Sequence, residues 1–464
     1  MEQSLPTSSL KVPYDTWFYN EGSKKFEAWK QSILNPSVTE ELEVFVAQQL
    51  NSCDPVKFVK RVEGSYNMMF QFHMSTGNDV ALRIPKPGHT PWALVTEKMA
   101  NEVAWMRYFK ANTSIPVPKL YCSSLQTPNN LSPLKLPFIL MDFIEGHNLR
   151  EYLTSLKAPG TDADADTMRS TVYEQLADFY LQLNRLHFEA IGSIAESVPG
   201  QWKMQRPLTM DMHQCLLGIP NYPTGEWPTE PLRCSTDYFD FVAAQQHDQL
   251  WKLRNLNVPH DCEKDIDLKQ AAQIAQKRFK ARKGFKDLIT LFCPSNDRGP
   301  FLPFNPDLDP RNMVVNPDTG VITGVFDLEF TNAMPAQFAR DPPLWLHRVL
   351  PGQCLEEGFF PWFLQTYRPY LDLFLAAMKR VEQRGQTGDG EMLSTLMLES
   401  WASNRCWFNY AAHNADHVDA VYWELLQKLH PGGSAPELST DMESEMERYL
   451  RHNETQIAAF EKEW

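Results

Sequence analysis

The spacing of apolar residues changes near residue 56 and again near residue 146. Between these points, Met68, Phe70, Phe72 and Met74 alternate with other residues at period two, and the turn segments EGSYN and STGND flank them. Such alternation indicates strands that bury one face. The pattern therefore predicts two successive hairpins, and hence a three-stranded antiparallel meander.

Helical spacing surrounds the meander. Residues 36–50 and 93–110 each place apolar side chains three and four positions apart, as amphipathic helices do. Beyond residue 146 helical spacing predominates. We predict a long helix over 171–191, an irregular stretch over 195–235, further helices over 236–295 and after 330, and a strand-loop-strand block over 301–330.

These patterns predict an α+β protein with two lobes. The expected organisation is an N-terminal extension (1–35), a small lobe built around an antiparallel sheet (36–145), and a larger, mainly helical lobe (146–464). A chain of 464 residues is long enough for two separate hydrophobic cores.

The net charge, the apolar runs and the cysteine spacing limit the expected partners and cellular location of the protein. The chain has 58 acidic and 44 basic residues, a formal charge of −14, which disfavours nucleic acid as a partner. No apolar run approaches the roughly 18 residues of a membrane span, so no membrane partner is expected. The N-terminus lacks the pattern of a secretory signal. The eight cysteines never take C-x-x-C spacing, which is typical of a reducing cytoplasm.

The candidate chemistry is concentrated between residues 305 and 330. Asp307 and Asn312 have the Asp-x-x-x-x-Asn spacing of a phosphoryl-transfer loop. The turn 316–320 predicts a hairpin that brings Asn312 close to Asp327, and paired oxygen donors suit Mg²⁺. The alternative is that all three residues are ordinary turn and cap residues.

The small lobe offers a matching set of residues. On the strand after the second turn, alternation places Ala81 and Arg83 on one face, where a small residue leaves room for a flat base and a cation lies near its phosphates. Glu102 lies on the apolar face of helix 93–110, and Arg83 is its expected partner. The loop Gly64–Ser65–Tyr66–Asn67 can offer backbone N–H groups to phosphates.

In this order the motifs resemble the aminoglycoside phosphotransferase and choline kinase-like branch of the protein-kinase fold, and more closely a fungal phosphotransferase enzyme family. The resemblance implies ATP and Mg²⁺ as cofactors and a small-molecule acceptor. It implies that Asp307 handles the acceptor hydroxyl or amine, that Asn312 and Asp327 hold Mg²⁺, and that Arg83, fixed by Glu102, contacts the phosphates. Adenine would meet Met141, Asp142 and Phe143.

Two other functions stay open. Arg83 stands where the family has lysine, and Asn305 stands where the family has histidine. These departures are compatible with a pseudokinase that binds a nucleotide or metabolite without turnover. The same cleft could also serve other chemistry in specialised metabolism. The sequence makes no prediction about protein partners.

Overall fold

The structure, a computed structural model, describes residues 15–463 except 76, 78, 125–130, 259–265, 294–296, 357, 386–390 and 436. The first fourteen residues of the predicted extension, part of the STGND turn and Cys262 lie outside the described residues.

A five-stranded antiparallel sheet forms the small lobe, with strand order β1-β2-β3-β5-β4. Its strands are β1 (Val56–Glu63), β2 (Asn67–Met74), β3 (Asp79–Pro85), β4 (Leu120–Ser123) and β5 (Ile139–Asp142). The first three strands are the predicted meander, which is confirmed. Their register pairs Phe70 with Leu82.

Helices cover both faces of this sheet: α1 (Thr16–Ser32), α2 (Pro36–Gln49) and α3 (Trp92–Asn112). Val80, Leu82 and Ile84 pack in one core with apolar residues of α1 and α2. Ala81 belongs instead to the large core that contains the apolar face of α3. The predicted alternation along β3 therefore separates the two faces as expected.

The large lobe is mainly helical. Its strands are β6 (His147–Asn148), β7 (Ile194–Val198), β8 (Gln201–Met204), β9 (Phe301–Phe304), β10 (Met313–Val315), β11 (Ile322–Val325) and β12 (Asn332–Pro335). Its helices are α4 (Leu149–Ser155), α5 (Ala163–Asn184), α6 (Met210–Gly218), α7 (Ser235–Lys252), α8 (Leu268–Asp287), α9 (Ile289–Phe292), α10 (Ala336–Ala339), α11 (Pro351–Glu356), α12 (Phe360–Gly385), α13 (Leu393–Ala402), α14 (Arg405–Ala412), α15 (Val418–Val421) and α16 (Thr440–Glu463).

Two sequence predictions in this lobe are wrong in detail. The helix predicted over 171–191 begins at Ala163 instead, because the Asp162 carboxylate accepts hydrogen bonds from the first backbone N–H groups, and it ends at Asn184. The stretch 195–235 is not irregular throughout, since it contains most of the β7–β8 hairpin and α6.

The N-terminal helix α1 connects the two lobes. At its start, the buried Asp15 carboxylate accepts a bond from Arg254 Nε at 2.6 Å, and the Asp15 N–H donates to the Gly218 carbonyl. Along the helix, Gly22 touches the backbone of Gly88 so closely that a Cβ on Gly22 would overlap the Gly88 carbonyl oxygen. At its end, Lys30 Nζ lies 2.7 Å from a Glu63 carboxylate oxygen. The helix thus joins the large lobe to the loop that follows β1.

We expect Asp15→Ala to lower the free energy of unfolding by about 2 kcal/mol, because it removes a helix cap and a buried ion-pair partner. Urea unfolding would measure the loss, and hydrogen exchange should show faster exchange of the α1 amides. Glu21→Gln on the same helix removes only an exposed pair with Lys24 and should change stability by less than about 0.5 kcal/mol. Unchanged exchange in Asp15→Ala would contradict a connecting role for α1.

Within the described part of the chain, no helix is both long enough and apolar enough to cross a bilayer. The seven described cysteines are all free.

Candidate active site

The predicted hairpin exists and brings its two ends together. Met313 of β10 pairs with Val325 of β11. One step beyond this pair, the Phe326 N–H donates to the Asn312 carbonyl at 3.1 Å. Asn312 therefore lies beside the segment that leads into Asp327.

Asp307 is held by the far end of its own loop. The Asn312 side-chain amide donates to both the backbone carbonyl and the Oδ2 carboxylate oxygen of Asp307, each at 3.0 Å. Asn305 accepts from the Asp307 N–H at 2.9 Å and donates to the Asp327 carbonyl at 3.0 Å. One asparagine thus fixes both acidic segments by their backbones.

Asp327 has a backbone conformation that is unusual for a residue with a side chain. Its φ of +65° lies in the left-handed region, which costs free energy outside glycine. The bond from Asn305 to its carbonyl and the contact from Arg83 Nη2 to its Oδ1 at 2.6 Å hold it there. Such strain is common where a side chain must be aimed at a ligand.

Arg83 joins the two lobes. The guanidinium pairs with Glu102 on α3, as predicted from the sequence. It also contacts Asp327 and, at 3.0 Å through Nη2, Glu329 of the large lobe. Its burial would disfavour the charge, but the adjacent carboxylates of Asp327 and Glu329 raise the pKa of Arg83 above its ordinary value.

Glu329 and Lys98 belong to the same cluster, and the sequence analysis missed both. Glu329 is 2% exposed and accepts a bond from the Asn67 amide at 2.9 Å. Lys98 Nζ lies 3.0 Å from Glu329 Oε1, an ion pair by distance without hydrogen-bond alignment. Lys98 lies four positions before Glu102 on α3, and that helical spacing was an available signal.

The loop between β1 and β2 contacts the cluster through its last two residues. Asn67 donates to Glu329, and the Tyr66 ring centroid lies 4.8 Å from Lys98 Nζ. The Gly64 N–H donates to the Asn67 carbonyl, which closes the turn. Ser65 lies at the tip of this turn. The loop is therefore adjacent to Arg83, and its predicted phosphate contacts stay a prediction.

The segment predicted to contact adenine, Met141 to Phe143, makes several contacts with other residues of the small lobe. Met141 is buried and pairs in register with Ala81. The Asp142 carboxylate accepts the Tyr121 hydroxyl at 2.7 Å and the Lys119 N–H at 3.1 Å, which holds β4 against β5. Phe143 is half-buried, with Lys60 over its ring. The carboxylate of Asp142 is therefore engaged in hydrogen bonds that hold two strands of the sheet together.

Electrostatics set the protonation of Asp307. Burial and the neighbouring charge of Asp327 raise the pKa of Asp307 to about 7, against the opposing charge of Arg311. A carboxyl group with a pKa near neutrality can exchange a proton with a hydroxyl group under ordinary conditions.

The raised pKa of Asp307 predicts a pH-dependent effect on stability. The folded state holds an extra proton between about pH 4 and 7, so this group lowers stability as pH rises through that window. Asp307→Asn removes the penalty. The variant should melt about 2 °C higher than the wild type at pH 8, and the difference should shrink at pH 5. The expected shift is small because the side chain is 28% exposed and solvent screens its charge. Calorimetry at both pH values would test it, and a difference that does not depend on pH would contradict it.

The donor set suits a hard divalent cation. The cluster holds two cations, Arg83 and Lys98, against three carboxylates, Glu102, Asp327 and Glu329. The excess negative charge lies beside the Asn312 amide and Asp307. The described residues contain no group of three or more His, Cys, Asp or Glu side chains arranged around a metal.

A cavity with about 300 Å³ of empty volume, which includes space open to solvent, lies beside the loop that carries Asp307. It contains one carboxyl group, Asp211, and burial raises the pKa of Asp211 to about 7. Its lining residues come from the start of α6, from α7, from the end of β9 and the loop after it, from β12 and the residues before it, and from the end of α14: Thr209, Met210, Asp211, Tyr238, Phe304, Pro306, Phe330, Asn332, Met334 and His413. No sequence signal pointed to Asp211.

An antiparallel sheet lobe, a helix-anchored cation and a loop with paired acidic residues before and after a hairpin define a bilobal, protein-kinase-like fold. The chain belongs to the phosphotransferase enzyme family, whose model matches residues 59–338, more than half of the sequence. The predicted fold class and the predicted family are therefore confirmed.

Curated relatives are fungal proteins. A subtelomeric hrmA-associated cluster protein of Aspergillus fumigatus is 32% identical over 152 residues, covering 33% of this chain and 27% of the relative. The protein named altered inheritance of mitochondria protein 9, mitochondrial, of Meyerozyma guilliermondii is 24% identical over 314 residues, covering 61% of this chain and 49% of the relative. The matches span half or less of the length of these relatives.

Among solved structures, the macrolide 2′-phosphotransferase MphH of Brachybacterium faecium is 14% identical. The structural match covers 86% of this chain and 100% of the MphH chain, with a TM-score of 0.35.

The comparison with curated relatives contradicts the cytoplasmic location expected from the sequence. Several of the curated relatives carry the word mitochondrial in their names. Cysteine spacing could not have separated these compartments, because it does not distinguish one reducing compartment from another.

Proposed function

We propose that the protein transfers the terminal phosphate of ATP, with Mg²⁺, to a hydroxyl or amine of a small molecule. The observation that carries the proposal is the meeting of Asp307, Asn312 and Asp327 at the base of one hairpin, opposite Arg83. Phosphoryl transfer relies on positioning and charge neutralisation, and this site offers both.

Each side chain has a distinct part in this proposal. Asp307 orients the acceptor and takes its proton, for which a pKa of about 7 is well placed. Asn312 and Asp327 would hold Mg²⁺, which supplies charge neutralisation to the phosphates when bound. Arg83 would exchange part of its contact with Asp327 for a phosphate oxygen, while Glu102 keeps it aligned.

The acceptor would occupy the cavity that contains Asp211. Pro306 lines this cavity and directly precedes Asp307, so an acceptor bound there is next to the catalytic carboxylate. Most of the lining is aromatic or apolar, which suits a ligand with an apolar body.

A second candidate is a nucleotide-binding pseudokinase. The observation in its favour is that Arg83 is engaged with three carboxylates, one of them the metal-binding candidate Asp327. If that ion pair does not open, the nucleotide would bind without transfer.

The test uses γ-labelled ATP, MgCl₂ and a pool of mitochondrial small metabolites, with mass spectrometry to find a product 80 Da heavier. The proposal expects a labelled product that requires Mg²⁺. ATP-dependent thermal stabilisation without any labelled product would favour the pseudokinase. No stabilisation and no product would overturn both.

We also infer a mitochondrial location from the names of the curated relatives. Fluorescence microscopy of the full chain, tagged at its C-terminus in a fungal cell, would test it. A diffuse signal outside mitochondria would overturn the inference.

A further inference from the structure

A second cavity lies at the surface of the large lobe, with about 250 Å³ of empty volume that includes space open to solvent, and three arginine residues line it. Arg150 comes from α4, Arg169 from α5, and Arg348 from the segment after the 3-10 turn Leu344–Leu346. Aromatic side chains form much of the remaining wall, including Tyr173, Trp345 and Tyr370. We call the cavity lined by Arg150, Arg169 and Arg348 the arginine pocket.

The positive charge of the arginine pocket is poorly compensated. Arg150 donates to two neutral backbone carbonyls, of Trp345 and Arg348, the first at 2.8 Å and the second at 2.5 Å. Arg169 is 1% exposed and has one acidic partner, Asp166, at 3.4 Å. Among the described residues, Arg348 forms no ion pair within 4.0 Å. Among the described residues, the three guanidinium groups therefore have one carboxylate within 4.0 Å, that of Asp166.

This imbalance is notable in a chain with a formal charge of −14. Burial is the main cause that lowers the pKa of Arg150, and the charges of Arg311 and Arg348 act in the same direction, against Asp309. Arg150 is half-buried and, among the described residues, has no carboxylate within 4.0 Å, so its guanidinium loses hydration without gaining an anionic partner. Such a pocket lowers its own free energy when an anion enters it.

The charge and the walls specify the ligand. A net local charge of about +2 matches a phosphate group, which carries about −1.5 to −2 near pH 7. Arginine forks bind phosphate oxygens in bidentate fashion, and apolar walls strengthen the attraction by excluding water. Arg150 uses two of its donor groups on carbonyls, which leaves further N–H groups for a ligand.

We propose that the arginine pocket binds a phosphate group, either free or carried on a small molecule, at a place separate from the Asp307 cleft. The pocket is connected to the active-site loop. Asn148, at the start of α4, donates to the Arg311 carbonyl at 2.8 Å, directly before Asn312.

Isothermal titration of the full chain with sodium phosphate, at constant ionic strength, tests the proposal. We expect saturable binding that Arg348→Gln weakens by about tenfold. Arg348 is exposed and donates no hydrogen bond from its side chain in the described structure, so this variant should fold normally. Arg368→Gln, which removes only an exposed pair with Asp372, is the matched control and should bind like the wild type.

Two further arms make the result decisive. Arg83→Gln should leave phosphate binding intact, because Arg83 lies in the other site. Phenyl phosphate separates the sources: binding tighter than that of inorganic phosphate supports a phosphorylated small molecule, and equal binding supports free phosphate. Equal affinity in wild type and Arg348→Gln would overturn the proposal, as would a loss of binding in Arg83→Gln when circular dichroism shows that this variant is folded.

Discussion

Asp307→Asn should reduce phosphoryl transfer by at least about a hundredfold while the fold stays intact. The carboxylate would take the acceptor proton, and an amide cannot. The structure explains why folding survives: the substituted side chain keeps an oxygen that can accept the Asn312 amide now bonded to Oδ2 at 3.0 Å. Steady-state rates with labelled ATP, together with circular dichroism, would measure both effects.

The control for this experiment lies on the same hairpin. Asp318→Asn makes the same chemical change in the exposed turn that joins β10 and β11, and it should leave the rate within about twofold of the wild type. Undiminished turnover in Asp307→Asn would remove Asp307 from the chemistry and with it the proposed mechanism.

Glu329→Gln should have the largest effect on stability, a loss of about 3–5 kcal/mol in the free energy of unfolding. Glu329 is 2% exposed and is the acidic partner of Lys98, which is itself 3% exposed. Neutralising the carboxylate leaves a buried ammonium group with aromatic rings as its remaining contacts. Urea unfolding at pH 7 would measure the loss.

A second substitution identifies the cause. Lys98→Met in the Glu329→Gln background removes the unpaired charge and should recover part of the lost stability. Burial lowers the pKa of Lys98, and the charge of Glu329 opposes this shift, so Glu329→Gln should lower the pKa of Lys98 further. At alkaline pH the unfolded variant then binds more protons than the folded variant, and the variant should gain stability relative to the wild type as the pH rises toward the ordinary lysine value of 10.5.

An exposed acidic residue next to Lys98 serves as the comparison. Glu97→Gln removes a surface pair with Arg206 and should change stability by less than about 0.5 kcal/mol. A double variant no more stable than Glu329→Gln alone would show that the buried charge is not the source of the loss.

The sequence was informative where interactions are local. The turn at residues 316–320 identified the hairpin, and the hairpin brings Asn312 to Asp327 whatever the rest of the chain does. Arg83 and Glu102 are 19 positions apart, on a strand and the next helix, and periodicity alone placed them on facing sides.

Contacts between the lobes could not be predicted in the same way. Arg83 meets Asp327 and Glu329 across 244 and 246 positions, and no periodicity specifies how two lobes close on each other. Alternation did not reveal Glu329, because Asp327 turns the backbone into the left-handed region and breaks the strand pattern. The cavity containing Asp211 likewise combines segments that only the tertiary fold brings together.

The contact between Gly22 and Gly88 makes two distant positions interdependent. Gly88 also has a φ of +81°, so a larger residue there meets both a steric and a conformational obstacle. We expect a bulkier residue at either position to push the first helix away from the sheet lobe. We therefore expect relatives that keep this helix in the same place to have glycine at both positions. Relatives that lack one of the two glycines should lack the other as well.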